Sequence, residues 1–260
     1  MADGSSLTTQ PGPTDLTLRV LTFNTFMGRR LDEVSRIIRD VRPHLAFLQE
    51  LIIYRYRGWT WNQAEGLGRE LEMDHAFQSI KWRGGTDIGA AILTTGRLRD
   101  AAPIEGLPDR PTGVSARVAF GSHTISVACV HLSSVGRPLV LGYPLAIRRH
   151  CRQVGWAIGR LEQLGGPTIL AGDLNTIPGT PAHRLACRHL NDVARQASDR
   201  TGTRPTLGWP FRIDYIFASS HFTCEQYRVL SAEGSDHRPV TATLRLGAGI
   251  EHEDASEPRP

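Results

Sequence analysis

Polar and apolar residues alternate over positions 17–25, a period of two that predicts a β-strand. In "LDEVSRIIRDVR" (31–42), Leu31, Val34, Ile37, Ile38 and Val41 repeat with the spacing of an amphipathic helix, which Pro43 stops. "HLAFLQEL" predicts the next strand, and further strands fit 74–80, 88–95, 114–120 and 123–132. A long helical pattern covers 145–164, followed by the apolar run of "TILAGDLN". Later strands fit 212–218, 223–230 and 239–246. Helices separated by pairs of strands point to an α/β sandwich with mixed sheets rather than a doubly wound fold.

Between polar ends, 1–15 and 248–260, nothing interrupts this pattern, so one domain over 16–247 with two disordered tails is the expectation. With 260 residues, 40% of them hydrophobic, such a chain buries a full core without disulfides. Its four cysteines are far apart and form no C-x-x-C pair, which argues against a zinc ribbon and for reduced thiols. The first residues carry no apolar signal segment and no run reaches the length of a membrane span. A cytoplasmic monomer is therefore expected. The net charge of +4 suits a polyanionic or phosphorylated substrate without requiring one.

More telling is where polar residues end apolar runs. Asn24 closes the first strand, Glu50 the second and His131 the strand "TISVACVHL"; Asp173 and Asn175 end "TILAGDLN". Asp214 stands in "RIDYIFAS", and Asp236 and His237 in "EGSDHRPV", just ahead of the last strand. Singly, each has an ordinary explanation. Strand-end Asn and Asp cap turns and helices, and a histidine after an apolar strand is commonly a satisfied core residue. Together, they mark one site where strand ends converge at a sheet edge.

In order, "TFNT", "LAFLQE", "VHLSS", "AGDLNTIPGTP", "RIDYIF" and "SDHRPV" resemble the successive motifs of the endonuclease/exonuclease/phosphatase superfamily over roughly residues 17–246. The resemblance implies a four-layer α/β/β/α sandwich of two mixed sheets, the DNase-I-like fold. It also implies hydrolysis of phosphoesters with magnesium, for which manganese can substitute. Such chemistry needs a hard cation held by oxygen ligands, a base for the attacking water, and fixed donors for phosphoryl charge. Glu50, with Asn24 as its neutral oxygen partner and Asp236 as a further ligand, suits the metal. Asp173 takes the role of base that the family gives the corresponding Asp, and Asn175 steadies it or holds a phosphate oxygen. His131 and His237 supply the donors, and by resemblance Asp214 fixes the tautomer of His237.

The substrate is less determined. "IIYRYRGWTWNQ" (52–63) interleaves Arg55, Arg57 and Trp59 with further aromatics, a mixture that suits nucleic acid and equally suits a loop packed on the sandwich. "IKWRGGTD" (80–87) offers a second basic wall, and "RPLVLGYP" (137–144) a lid or a covered loop. Ala90 stands where relatives commonly carry Asn, so a phosphate contact is missing or falls to Asp87 or Thr86. The Y-x-P-N-G segment of the AP-endonuclease branch is absent after His131, and no membrane-contacting hairpin is evident. A nuclease is the leading expectation, and a phosphatase or phosphodiesterase of a small metabolite or lipid head group is the alternative.

Overall fold

The computed structural model describes residues 16–107, 110–134, 139–206 and 209–247; both expected tails lie outside the described residues. In chain order the elements are β1 (Thr17–Asn24), α1 (Leu31–Val41), β2 (Leu45–Tyr56), β3 (Trp59–Asn62), α2 (Gln63–Leu71), β4 (Asp74–Arg83) and β5 (Thr86–Thr94). Then come β6 (Arg97–Leu107), β7 (Arg110–Phe120), β8 (His123–His131), α3 (Leu139–Leu164) and β9 (Thr168–Asp173). The chain continues through α4 (Pro181–His189), β10 (Asn191–Asp192), α5 (Val193–Gln196), β11 (Arg204–Thr206) and β12 (Trp209–Phe211). It closes with β13 (Asp214–Ala218), β14 (Phe222–Val229) and β15 (Val240–Leu246).

One sheet runs β14-β15-β1-β2-β5-β4, with β3 paired to β2; the second runs β10-β13-β9-β8-β7-β6. Each is mixed because it contains one parallel pair, β1 with β2 and β8 with β9. The crossovers are α1 and α3, the connection that parallel neighbours require. Alternation along β1 and β2 divides their apolar residues between two cores. Val20, Leu45 and Phe47 pack between the sheets against Val127, Ile169 and Ile216. Leu21, Phe23 and Leu48 pack outward under Val34, Ile37 and Ile38 of α1. On the other side, Val130, Leu170 and Phe217 meet Val154, Ala157 and Leu161 of α3. Helix, sheet, sheet, helix is the expected four-layer order.

Several elements differ from the pattern reading. α3 starts six residues before the expected 145, taking in positions 139–144 of the suggested lid; 137 and 138 lie outside the described residues. Pro181, which reads as a chain break, opens α4 at its first turn, where a missing N–H has no cost, and the Thr180 side chain caps it by accepting from His183 N–H. α2 and β6 are not among the elements the pattern predicts. α2 includes Gly66 and Gly68, while β6 lies at a sheet edge, where its Pro103 is tolerated. Residues 52–62 form the outer part of β2 and its hairpin with β3 rather than a loop.

Candidate active site

The parallel strand pairs end together at one edge of the sandwich. Asp173, last in β9, is register partner to His131 on one side and to Asp214 on the other, so the three share one rung of the second sheet. The close packing here needs Gly172: a Cβ at that position would lie 2.0 Å from Val130 O, and its φ is 145°. In the first sheet Asn24 ends β1 beside Gln49. Glu50 then occupies a β-bulge, where β2 slips against β5 between Gln49 and Leu51. Its φ of 60° is left-handed, a conformation a non-glycine residue adopts at a cost, and the bulge aims its carboxylate at the site. Asn24 joins the two sheets: its Nδ2 donates to Glu50 Oε1 at 3.3 Å and to Asp173 Oδ2 at 3.1 Å. Its amide oxygen accepts from Phe26 N–H at 3.1 Å, so the nitrogen is what faces the carboxylates.

Asp173 is only 1% exposed. Burial, then the Asp214 charge, push its pKa above the ordinary carboxylate value, opposed by His131 and His237. Its Oδ1 accepts from Asn175 N–H at 2.8 Å, and the Asn175 side chain donates to Leu132 O at 2.8 Å, locking the loop. His131 Nε2 lies 3.6 Å from Asp173 Oδ2 and 3.8 Å from Glu50 Oε1. From the other side, His237 Nε2 lies 3.8 Å from the same Asp173 oxygen. Two imidazoles thus flank one buried carboxylate.

His237 is oriented by Asp214, whose oxygens lie 3.0 and 2.9 Å from Nδ1. Burial alone would lower the His237 pKa, but Asp214, then Asp173 and Asp236, lift it to about 9. Asp214 is itself held by Thr203, whose hydroxyl donates to Oδ2 at 2.6 Å and accepts from the N–H groups of Ile213 and Asp214, each at 3.1 Å. Ser235 ties the last loop to β1, donating to Asn24 O at 2.7 Å and accepting from His237 N–H at 3.1 Å. Arg204 Nη2 donates to Asp236 Oδ2 at 2.7 Å. Thr203 and Arg204 escape a sequence reading because "TGTRPT" has no periodicity and acquires its role only through distant contacts. Ser235 does stand inside a quoted motif.

Glu50, His131, Asp173, Asn175, Asp236 and His237 line a cleft of about 470 Å³, with cations on its walls from four elements: Lys81, Arg110, Arg149 and Arg204. Ile80 and Lys81 are the part of the "IKWRGGTD" wall that reaches it, Lys81 bringing the charge. Among the cleft's acids, Glu50 and Asp236 offer oxygen donors of the hard kind a divalent cation takes, so the residues present fit such an ion. Asp173, Asp214 and His237 also bring ligand atoms within 4.8 Å of one another, but Asp214 is already engaged by Thr203 and His237.

Arg55, Arg57 and Trp59 do not line the cleft. Beyond the bulge, Leu51 packs toward the α1 side, and alternation carries Ile53 and Arg55 to that same face. Arg55 there ion-pairs with Asp87, which also accepts from Ser79. Asp87 is therefore committed away from the cleft, Thr86 does not line it, and Ala90 is buried between the sheets, so the phosphate contact considered for that segment falls to neither Asp87 nor Thr86. Tyr54 and Tyr56 alternate onto the opposite face, the one carrying cleft-lining Ile88, register partner of Ile52. Their register partners on β3 are Trp61 and Trp59. Four exposed aromatics thus form one face of the hairpin, with Arg57 over the Tyr56 ring at its tip.

Two face-to-face mixed sheets with a carboxylate–imidazole cleft at their common edge define a DNase-I-like sandwich. The chain belongs to the Endonuclease/Exonuclease/phosphatase family, whose model matches residues 21–237. Members of this family hydrolyse phosphoesters. Among solved structures, it resembles the human Nocturnin catalytic domain with bound sulfate anion (TM-score 0.70, 17% identity, 90% of this chain and 97% of that one). An AP endonuclease from Archaeoglobus fulgidus aligns at TM-score 0.68 and 17% identity, over 86% of this chain and 98% of the other. A family protein from Bacteroides vulgatus aligns at TM-score 0.69 and 18% identity, over 89% and 100%. At these identities the likeness is one of fold. No curated protein matches by sequence. Among the described residues no helix is long and apolar enough to cross a membrane.

Proposed function

We propose that the protein is a magnesium-dependent phosphodiesterase acting on nucleic acid, with Asp173 as the base that activates water. The observation that carries this reading is the buried Asp173 carboxylate, flanked by two imidazole Nε2 atoms at 3.6 and 3.8 Å. A carboxylate raised above its usual pKa is a stronger base, and one already fixed by Asn24 and Asn175 needs no reorientation to hold a water. Attack forms a bond from the water oxygen to phosphorus as the proton passes to Asp173. The ester oxygen then leaves with the electrons of the broken bond.

His237, charged and fixed by Asp214, donates through Nε2 to the phosphoryl oxygens; His131 does the same from the neighbouring strand. Glu50 and Asp236 would hold the metal ion, with Asn24 keeping Glu50 and Asp173 together through its amide nitrogen. Magnesium, or manganese in its place, supplies positive charge to the phosphoryl and leaving oxygens. Nucleic acid is favoured over a small ester by the aromatic face of the hairpin, which continues the cleft face of the sheet outward, and by the four cleft cations. Arg57 and Trp59 at the tip would contact a strand leaving the cleft. All four cysteines are free, in keeping with a reducing compartment such as the cytoplasm, and a monomer is sufficient because every residue invoked comes from one chain.

The test is hydrolysis by purified protein with magnesium, manganese or EDTA. Plasmid DNA, single-stranded RNA, bis-p-nitrophenyl phosphate and a panel of phosphomonoesters and lipid head-group esters are compared side by side. Metal-dependent cutting of polynucleotide supports the proposal. Activity confined to monoesters or head groups replaces it with the metabolite or lipid reading.

A further inference from the structure

We propose that a second groove, between α4, α5 and β12, is a binding track for the phosphate backbone of single-stranded nucleic acid. The proposal rests on the nuclease reading of the cleft and extends it to a separate surface. The groove has a volume of about 1050 Å³, and Arg184, Arg188, Arg195 and Arg200 stand along it, all exposed. Among the described residues none of the four makes a side-chain hydrogen bond or ion pair. On the opposite side of the sandwich the helices neutralise their arginines: Arg36, Arg39 and Arg69 of α1 and α2 each meet a carboxylate. On α4, by contrast, Arg184 and Arg188 stand at i and i+4, where like charges oppose helix formation.

The floor contributes little net charge, and Asp199 also lines the groove, so the positive field is that of the four exposed arginines. Asp192 is shared between Arg212, bonded at 3.0 and 2.7 Å, and His183, bonded at 2.9 Å. Gly179 N–H donates to His183 Nδ1 at 3.2 Å, so that nitrogen is an acceptor and Nε2 donates to Asp192, which leaves Arg212 as the buried cation that Asp192 neutralises. Because both Asp192 oxygens are already engaged, a metal ion at the neighbouring His183, Cys187 and Asp192 is disfavoured. Unpaired guanidiniums spread along an open groove match a chain of phosphates rather than one compact anion. Phe211 lines the groove at 41% exposed and Trp209, two residues earlier, is 71% exposed, offering rings for unpaired bases.

Position links the groove to the cleft. Ile177 and Pro178 on one wall follow Asn175 within three residues, and Phe211 and Arg212 on the other run directly into Asp214. A strand lying in the groove is therefore held beside the loops that carry the catalytic carboxylates.

The experiment measures fluorescence anisotropy of a labelled single-stranded 20-mer, about that length being enough to span both depressions. Binding is read in EDTA across a salt series, for the intact protein and for a variant combining Arg184→Gln, Arg188→Gln, Arg195→Gln and Arg200→Gln. Turnover of bis-p-nitrophenyl phosphate with magnesium is measured in parallel. The proposal predicts binding weakened by at least ~10-fold, a salt slope reduced by about 3, and unchanged turnover of the small ester. A second variant, Trp209→Ala with Phe211→Ala, is expected to weaken binding while leaving the slope near its original value. Unchanged affinity and slope in the quadruple variant overturn the proposal. So does loss of binding to anionic vesicles or an acidic peptide while oligonucleotide binding stays intact. Absence of ester hydrolysis by the intact protein would instead refute the hydrolase reading, and the anisotropy arm would still decide the groove.

Discussion

Asp214 meets His237 Nδ1 with both carboxylate oxygens, at 3.0 and 2.9 Å, and so turns Nε2 toward Asp173, 3.8 Å away. In the proposed mechanism the pair is a fixed, charged donor beside the Asp173 base. Asp214→Asn removes the charge that keeps His237 protonated, and His237→Ala removes the donor itself. Each is expected to lower kcat by about 10²–10⁴-fold. Because the two residues act as a unit, the double variant should be no slower than the slower single one. Additive losses in steady-state kinetics would show that they act independently.

Thr203 carries Asp214 through one donated and two accepted hydrogen bonds, all buried. Thr203→Val keeps the shape and strands these partners, at a cost of about 1–3 kcal/mol in unfolding free energy. Urea titration measures the loss, and Thr203→Ser should restore both stability and kcat. Full activity in the valine variant would remove Thr203 from the positioning of Asp214.

Glu50 owes its orientation to the bulge between Gln49 and Leu51. Glu50→Gln retains the size and removes a charged oxygen donor, so the magnesium concentration for half-maximal rate should rise by at least ~10-fold. An unchanged metal titration would take Glu50 out of the coordination shell.

The hairpin separates two side chains that the sequence places next to each other. Tyr56 belongs to the aromatic face, while Arg55 turns to the other face and to Asp87. Tyr56→Ala with Trp59→Ala should weaken single-stranded oligonucleotide binding by about 1–3 kcal/mol for each stacked base lost. Arg55→Ala should leave it within error. The reverse ranking in a binding titration would assign recognition to the arginine face.

Strand ends were legible because a polar residue closing an apolar run is visible one-dimensionally: Asn24, Glu50, His131 and Asp173 all stand out this way, and the structure brings them to one edge. The mixed-sheet sandwich was legible from helices separated by pairs of strands, and its four layers from the resemblance of the motifs. Bulge geometry at Glu50 was not, because slippage depends on what β5 offers across the sheet. Nor was Thr203, which reaches Ile213 and Asp214 only because the β11–β12 hairpin folds it back beside Phe211. That Arg55 pairs with Asp87 while Arg57 and Trp59 stay at the hairpin tip was not legible, because a stretch read as loop has no alternation to apply. As a hairpin, it sorts arginine from aromatics at once.

The most direct measurement of the central claim is the hydrolysis rate of Asp173→Asn against the intact protein, with magnesium and with EDTA, alongside circular dichroism of both. Asparagine fills the same volume but cannot take a proton from water. The account predicts an unchanged spectrum and a rate lower by about 10²–10⁴-fold, with activity in the intact protein abolished by EDTA. A folded Asp173→Asn protein that hydrolyses phosphoesters at the original rate would contradict it.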